Sequence, residues 1–111
     1  MWFEFAAEKD DSDAQYMLGK CYENGYGIKQ SYTDAIKWYS KSLTLDAMFS
    51  LGNCYRYGKG VKRSYFKAVK WYVKACKIVK NGKSAQALEE IYKINRYYRI
   101  YAFFIGLYYK L

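Results

Sequence analysis

The chain has 111 residues, the length of one domain; 52 % are hydrophobic, 26 % are charged and none is proline, a balance that excludes a disordered chain and a proline-rich linker. It has no histidine, which excludes Ser-His and Cys-His nucleophile pairs and removes the commonest zinc ligand. The net charge of +9 is unevenly placed: residues 1–50 carry five lysines against eight carboxylates, and residues 51–111 carry 14 lysines and arginines against two glutamates, so one end can attract anionic partners or the acidic end of another copy.

No basic and apolar leader with a small-residue cleavage site opens the sequence. The longest uncharged stretch, Ile100 to Tyr109, is ten residues, about half a membrane span. The expectation is an intracellular, cytoplasmic chain with no transmembrane segment. Three cysteines cannot all pair, and Cys21 and Cys54 stand 33 residues apart at matching places. They read as small buried thiols, not as a disulfide framework.

Taken in order, residues 2–9 open with Trp2-Phe3, which stands 36 residues before Trp38-Tyr39. The chain therefore begins inside a repeat, and 2–9 is the remnant of its second helix. Residues 11–42 are repeat one. Asp10, Asp11 and Asp13 lie where carboxylates favour a helix start, and Ala14, Leu18, Cys21 and Tyr22 recur at helical spacing, predicting a helix near 13–24. Gly25 and Gly27 stop it. Ser31 is a natural N-cap for a helix near 32–42 carrying Tyr32, Ala35, Ile36 and Tyr39. Residues 46–79 are repeat two, with helices near 46–57 and 65–79. At the 33-residue offset, 14 of 25 positions from Leu18 to Ser42 are identical to those from Leu51 to Ala75. Gly19 and Gly52 fall inside the first helix of each copy, where glycine costs about 1 kcal/mol relative to alanine. A cost repeated at one place implies a close helix approach that a Cβ would block. After a stop signal at Asn81-Gly82, residues 84–109 read as one degenerate C-terminal helix without a glycine loop, with Glu89 and Glu90 in its early turns. From Tyr97 onward it is apolar nearly all round, and burial against repeat two or a second chain is preferred over lipid. One hairpin cannot bury its own stripe, so neighbours must stack. The fold class is all-α, an αα-hairpin solenoid in a single domain, 1–111.

The pattern LG-x-CY-x-x-G-x-G-(I/V)-x-x-x-Y-x-x-A-(I/V)-x-WY-x-K resembles the Sel-1-like repeat family, relatives of the tetratricopeptide repeat. The resemblance implies a right-handed superhelix of helix pairs that serves as an adaptor or scaffold binding a protein partner, and not an enzyme. A disulfide-rich branch of that family places one cysteine three residues before the Leu-Gly pair and its partner after the Lys-Ala of the second helix. Cys76 fits the second place, but Met48 and Gln15 occupy the first, so neither the pairing nor that branch is expected.

No catalytic, cofactor-binding or metal-ligating residue is assigned. The cysteines have no C-x-x-C spacing. The Gly-x-Gly elements at 25–27 and 58–60 follow helices and lack the third glycine of a dinucleotide loop. The expected binding surface is the concave side lined by the first helix of each pair, at Lys20, Glu23 and Asn24 in repeat one and Asn53, Arg56 and Tyr57 in repeat two. Packing positions around these are identical between the copies, whereas these three differ, as a ligand-facing surface allows. The rival is a nucleic acid or other anionic surface held by the basic C-terminal half, where lysines and arginines alternate with tyrosines. Self-association through the C-terminal helix is a further expectation.

Overall fold

The computed structural model describes residues 2–80 and 82–110, with side chains from residue 4 to residue 106. Among these residues it is all-helical: α1 (Trp2–Glu8), α2 (Ser12–Asn24), α3 (Tyr32–Lys41), α4 (Leu45–Tyr57), α5 (Tyr65–Cys76), α6 (Lys83–Ile94) and α7 (Tyr97–Lys110). Short polar residues start the helices. Asp11, Ser31, Thr44 and Ser64 are extended N-caps whose side chains accept from the amides of Ala14, Asp34, Ala47 and Lys67, each satisfying one orphan donor of a first turn. Both first helices end in the same way. Gly25 and Gly58 take φ of 72° and 71° and donate to the carbonyls of Cys21 and Cys54, a left-handed cap that glycine adopts without strain.

The two hairpins, α2–α3 and α4–α5, are built on one repeated contact. Tyr39 and Tyr72 are fully buried. A Cβ at Gly19 would lie 2.6 Å from the Tyr39 ring, and one at Gly52 would lie 2.4 Å from the Tyr72 ring. The glycines thus open a slot in the first helix for the tyrosine of the second. A second ring from the same first helix borders each slot: Tyr16 meets Tyr39 with ring centroids 5.9 Å apart, and Phe49 meets Tyr72 at 5.8 Å. Each tyrosine also faces the following unit. Tyr39 clusters with Ala47, Leu51 and Cys54 of α4, and Tyr72 with Ala87, Leu88 and Ile91 of α6. A single side chain closes its own hairpin and receives the next. At the N-terminal end, the Gln15 Nε2 of α2 donates to the Ala7 carbonyl of α1 at 3.1 Å.

The stacked units extend over 43 × 27 × 19 Å. The expected helices are present, with two corrections. The helix expected over 65–79 ends at Cys76, because the amides of Ile78 and Val79 both turn back to the Ala75 carbonyl and the last turn closes on itself. The single helix expected over 84–109 is two, α6 and α7. Asn95 is extended, its amide donates to the Ile91 carbonyl to end α6, and its Oδ1 accepts from the Tyr97 amide at 2.9 Å to begin α7. An asparagine can serve both ends because its short side chain competes with the backbone for such bonds. The last unit is therefore a complete hairpin with its connection cut to two residues. Its second helix runs parallel to α5: Tyr65 and Phe66 at the start of α5 meet Tyr97, Tyr98 and Tyr101, and Lys77 beyond the end of α5 meets Gly106. The stop signal placed at Asn81 lies outside the described residues.

Two tests follow from the slot. Gly52→Leu is expected to overpack against Tyr72 and lower stability by about 1–3 kcal/mol, measured by denaturant titration; an unchanged midpoint would contradict the contact. Burial, the largest cause in both cases, raises the Tyr39 and Tyr72 phenols above their ordinary value near 10. Because the folded values are the raised ones, the stabilisation is complete below pH 10 and is lost as pH climbs beyond it. Each tyrosine should steepen that loss by about 1.4 kcal/mol per pH unit, and Tyr72→Phe should remove one share of the slope.

Candidate interaction surface

The first helices of the three units, α2, α4 and α6, present neighbouring faces, and the six residues expected to meet a ligand lie on the first two. Three of them, Glu23, Asn53 and Arg56, already pair with side chains of other elements. The Tyr39 hydroxyl donates to Glu23 Oε1 at 2.5 Å, and the Tyr72 hydroxyl donates to Asn53 Oδ1 at 2.5 Å. The repeats thus satisfy the same buried phenol from different turns of the first helix, since Glu23 corresponds to Arg56 and Asn53 to Lys20. Glu23 also pairs with Lys59 at 3.6 Å. Arg56 pairs with Glu90 of α6 at 2.7 Å, its side chain 14 % exposed and that of Glu90 58 %. The sign reversal between positions 23 and 56 is therefore matched by a reversal in the next unit, acid to Lys59 in one case and base to Glu90 in the other.

Between α4 and α6 the surface folds into a shallow groove that brings Asn53, Arg56 and Tyr57 together with Lys83, Gln86 and Glu90. Tyr57 is exposed, with the Arg56 guanidinium 5.2 Å from its ring centroid. Lys20, Glu23 and Asn24 lie on α2 outside this groove, and the Asn24 Nδ2 donates to the Lys20 carbonyl at 3.1 Å. The sequence pattern missed Lys83, Gln86 and Glu90. They become visible once residues 83–94 are recognised as the first helix of a third hairpin, a signal that the missing glycine loop conceals.

Several other aromatic residues of the basic half are committed to packing. Tyr65 and Tyr72 belong to the core of α5, α6 and α7. Lysine and arginine lie over rings already in place: Lys67 over Tyr55 at 5.5 Å, Lys74 over Trp71 at 4.9 Å and Arg63 over Tyr65 at 4.8 Å. All three cysteines are free. Burial pushes the Cys54 thiol up to about 11 and also raises Cys76, so neither is a thiolate at neutral pH. Among the described residues, no helix is long and apolar enough to cross a membrane.

Stacked helix pairs, the first two each closed by a tyrosine in a glycine slot and joined to the next by an ion pair, define an αα-hairpin repeat protein whose asset is surface. Within that class the chain belongs to the Sel1 repeat family, whose model matches residues 1–11, 12–46 and 45–77. Sel1 repeats are interaction and scaffold modules and are not typically catalytic. Over 44 residues the chain is 39 % identical to the "DAP3-binding cell death enhancer 1" of Rattus norvegicus, which covers 40 % of this chain and 9 % of the rat protein. It is similar to the crystal structure of a protective antigen present in uropathogenic Escherichia coli strains that displays an SLR fold, with TM-score 0.87 and 28 % identity over 97 % of this chain and 24 % of that one. A Sel1 repeat protein from Oxalobacter formigenes gives TM-score 0.61 and 33 % identity over 63 % of this chain and 30 % of that one. The chain thus spans less than a third of each of these relatives.

The inter-unit pair can be measured directly. A double-mutant cycle of Arg56→Ala and Glu90→Ala should give a coupling of about 1 kcal/mol or less, as for other partly exposed pairs. No coupling would mean that α4 and α6 are held by apolar contact alone.

Proposed function

We propose that the chain is a protein-binding module and that the groove between α4 and α6 receives a segment of its partner. The observation that carries this is the grouping of an exposed aromatic ring, Tyr57, with Lys83 and Gln86 around the Asn53–Arg56 edge. Aromatic and arginine side chains beside a partly desolvated floor are the composition of binding hot spots. Arg56 is fixed by Glu90, so the cost of ordering that side chain is already met before a partner arrives. Support of a coarser kind comes from the family, whose members act through protein contacts, and from the rat relative, named for binding DAP3.

The test is affinity capture from the native cell, comparing the wild-type chain with Tyr57→Ala/Lys83→Glu. Both positions are exposed, so the fold should be kept, as circular dichroism would verify. The expected result is a protein captured by the wild type and lost by the variant. Equal recovery by both would reject the groove. Capture abolished by nuclease, or wholly by ~0.5 M salt, would favour the basic surface and a polyanion instead.

A further inference from the structure

Helix α7 has two unlike faces. One packs on α5 and α6 through Tyr98, Tyr101, Ala102 and Ile105, which meets only in part the expectation that this helix is buried against repeat two or a second chain. The opposite face carries Ile100, Phe103 and Phe104, exposed by 55 %, 64 % and 63 %. Helical geometry places these three on the side away from the core. Large apolar side chains grouped on a surface mark a contact, and the charges around this group say which kind. On one flank Lys93, Arg96 and Arg99 share a shallow depression with Ile100. Further along α7, Lys77 and Lys80 line a recess with Val73 and Cys76, and the Lys77 Nζ donates to the Gly106 carbonyl, two turns beyond Arg99 on the same side of the helix. The only carboxylates in the sequence from residue 77 onward are Glu89 and Glu90, and both are paired, with Arg99 at 3.2 Å and with Arg56.

We propose that the outward face of α7 is a docking surface for an anionic phospholipid bilayer, with Ile100, Phe103 and Phe104 entering the interface and the flanking lysines and arginines meeting the headgroups. A helix with an apolar face and a cationic border lies in the plane of such a surface. Phenylalanine side chains on the apolar face of such a helix bury at the boundary between headgroups and acyl chains, and each cation near an anionic leaflet strengthens binding roughly fivefold. A second copy fits less well. Pairing α7 with its own equivalent sets two cationic borders against each other. The acidic end of another copy would match the charge, but its exposed large apolar side chains, Phe5, Met17, Tyr26, Tyr32 and Leu43, are spread over α1, α2, α3 and the segments between helices and form no single helix face.

The experiment is co-sedimentation of the full chain with phosphatidylcholine vesicles, with and without phosphatidylserine, at ~0.1 M salt. The wild type should pellet with the phosphatidylserine vesicles and far less with phosphatidylcholine alone. Phe103→Ser/Phe104→Ser and Lys93→Glu/Arg96→Glu should each weaken that binding by about tenfold or more with circular dichroism unchanged. Ile100→Ser repeats the first test should the double serine variant lose helicity. Tyr57→Ala/Lys83→Glu should bind vesicles as the wild type does, so that this proposal and the groove succeed or fail separately. The proposal is overturned if the wild type stays in the supernatant with both vesicle types, or if the serine variants bind unchanged. It is likewise overturned if sedimentation velocity finds a dimer that Phe103→Ser/Phe104→Ser dissolves while vesicles capture nothing.

Discussion

Everything in this architecture turns on a tyrosine ring set against a glycine in the neighbouring helix. A phenol is large enough to contribute about 1.5–3 kcal/mol on burial, yet its hydroxyl needs a partner wherever water is excluded. Removing the Cβ at Gly19 and Gly52 lets the ring reach across its hairpin, and the partner waits on the same first helix, four residues past the glycine as Glu23 in one repeat and next to it as Asn53 in the other. The glycine costs the first helix some intrinsic stability. The packing gained exceeds that loss, because the same ring also forms part of the floor on which the next unit rests.

The units then differ where they meet one another. Positions 23 and 56 occupy the same place in the repeat, and each reaches into the following unit, one as an acid and one as a base. Pairing by opposite sign makes each junction specific: with Glu23 exchanged for an arginine, Lys59 would face a like charge. A repeat array built from near-identical parts needs such marks, since otherwise any unit could stack on any other. Only part of the variation on the α2–α4–α6 face is therefore left over from these junctions, and in the binding role proposed above it is the exposed Tyr57, Lys83 and Gln86 that a partner would read.

The sequence made the repeat legible because its strongest signals are steric. A glycine within a helix, a tyrosine and a cap each have one physical use, and their repetition at 33 residues gave the two central hairpins and the slot at Gly19 and Gly52. Less legible was whatever depends on partners far along the chain. That Glu23 and Arg56 differ is visible in the alignment of the repeats, but differences of this kind suit a ligand surface and an inter-unit pair equally. Choosing between them requires knowing that Glu90 lies opposite Arg56, and therefore that residues 83–94 are a first helix. The break at Asn95 was hidden for a related reason. Without a glycine or a proline, a single asparagine between two apolar runs looks like an interruption in one helix, and its dual hydrogen bonding emerges only when the backbone is seen.

The route by which α7 joins the molecule bears on how order is gained and lost. The helices pack chiefly on their neighbours in sequence, with the bond between α5 and α7 the long step that skips one. Chains wired so locally fold fast, because little loop entropy stands between a contact and its formation, and order can spread outward from any unit that forms first. The skipping step alters this at one end. Since α7 lies along α5 and only lightly against its own partner α6, the last hairpin draws most of its packing from the second unit, where Phe66 meets three tyrosine rings. The molecule thus has a direction, its C-terminal hairpin leaning on the unit before it more than on itself.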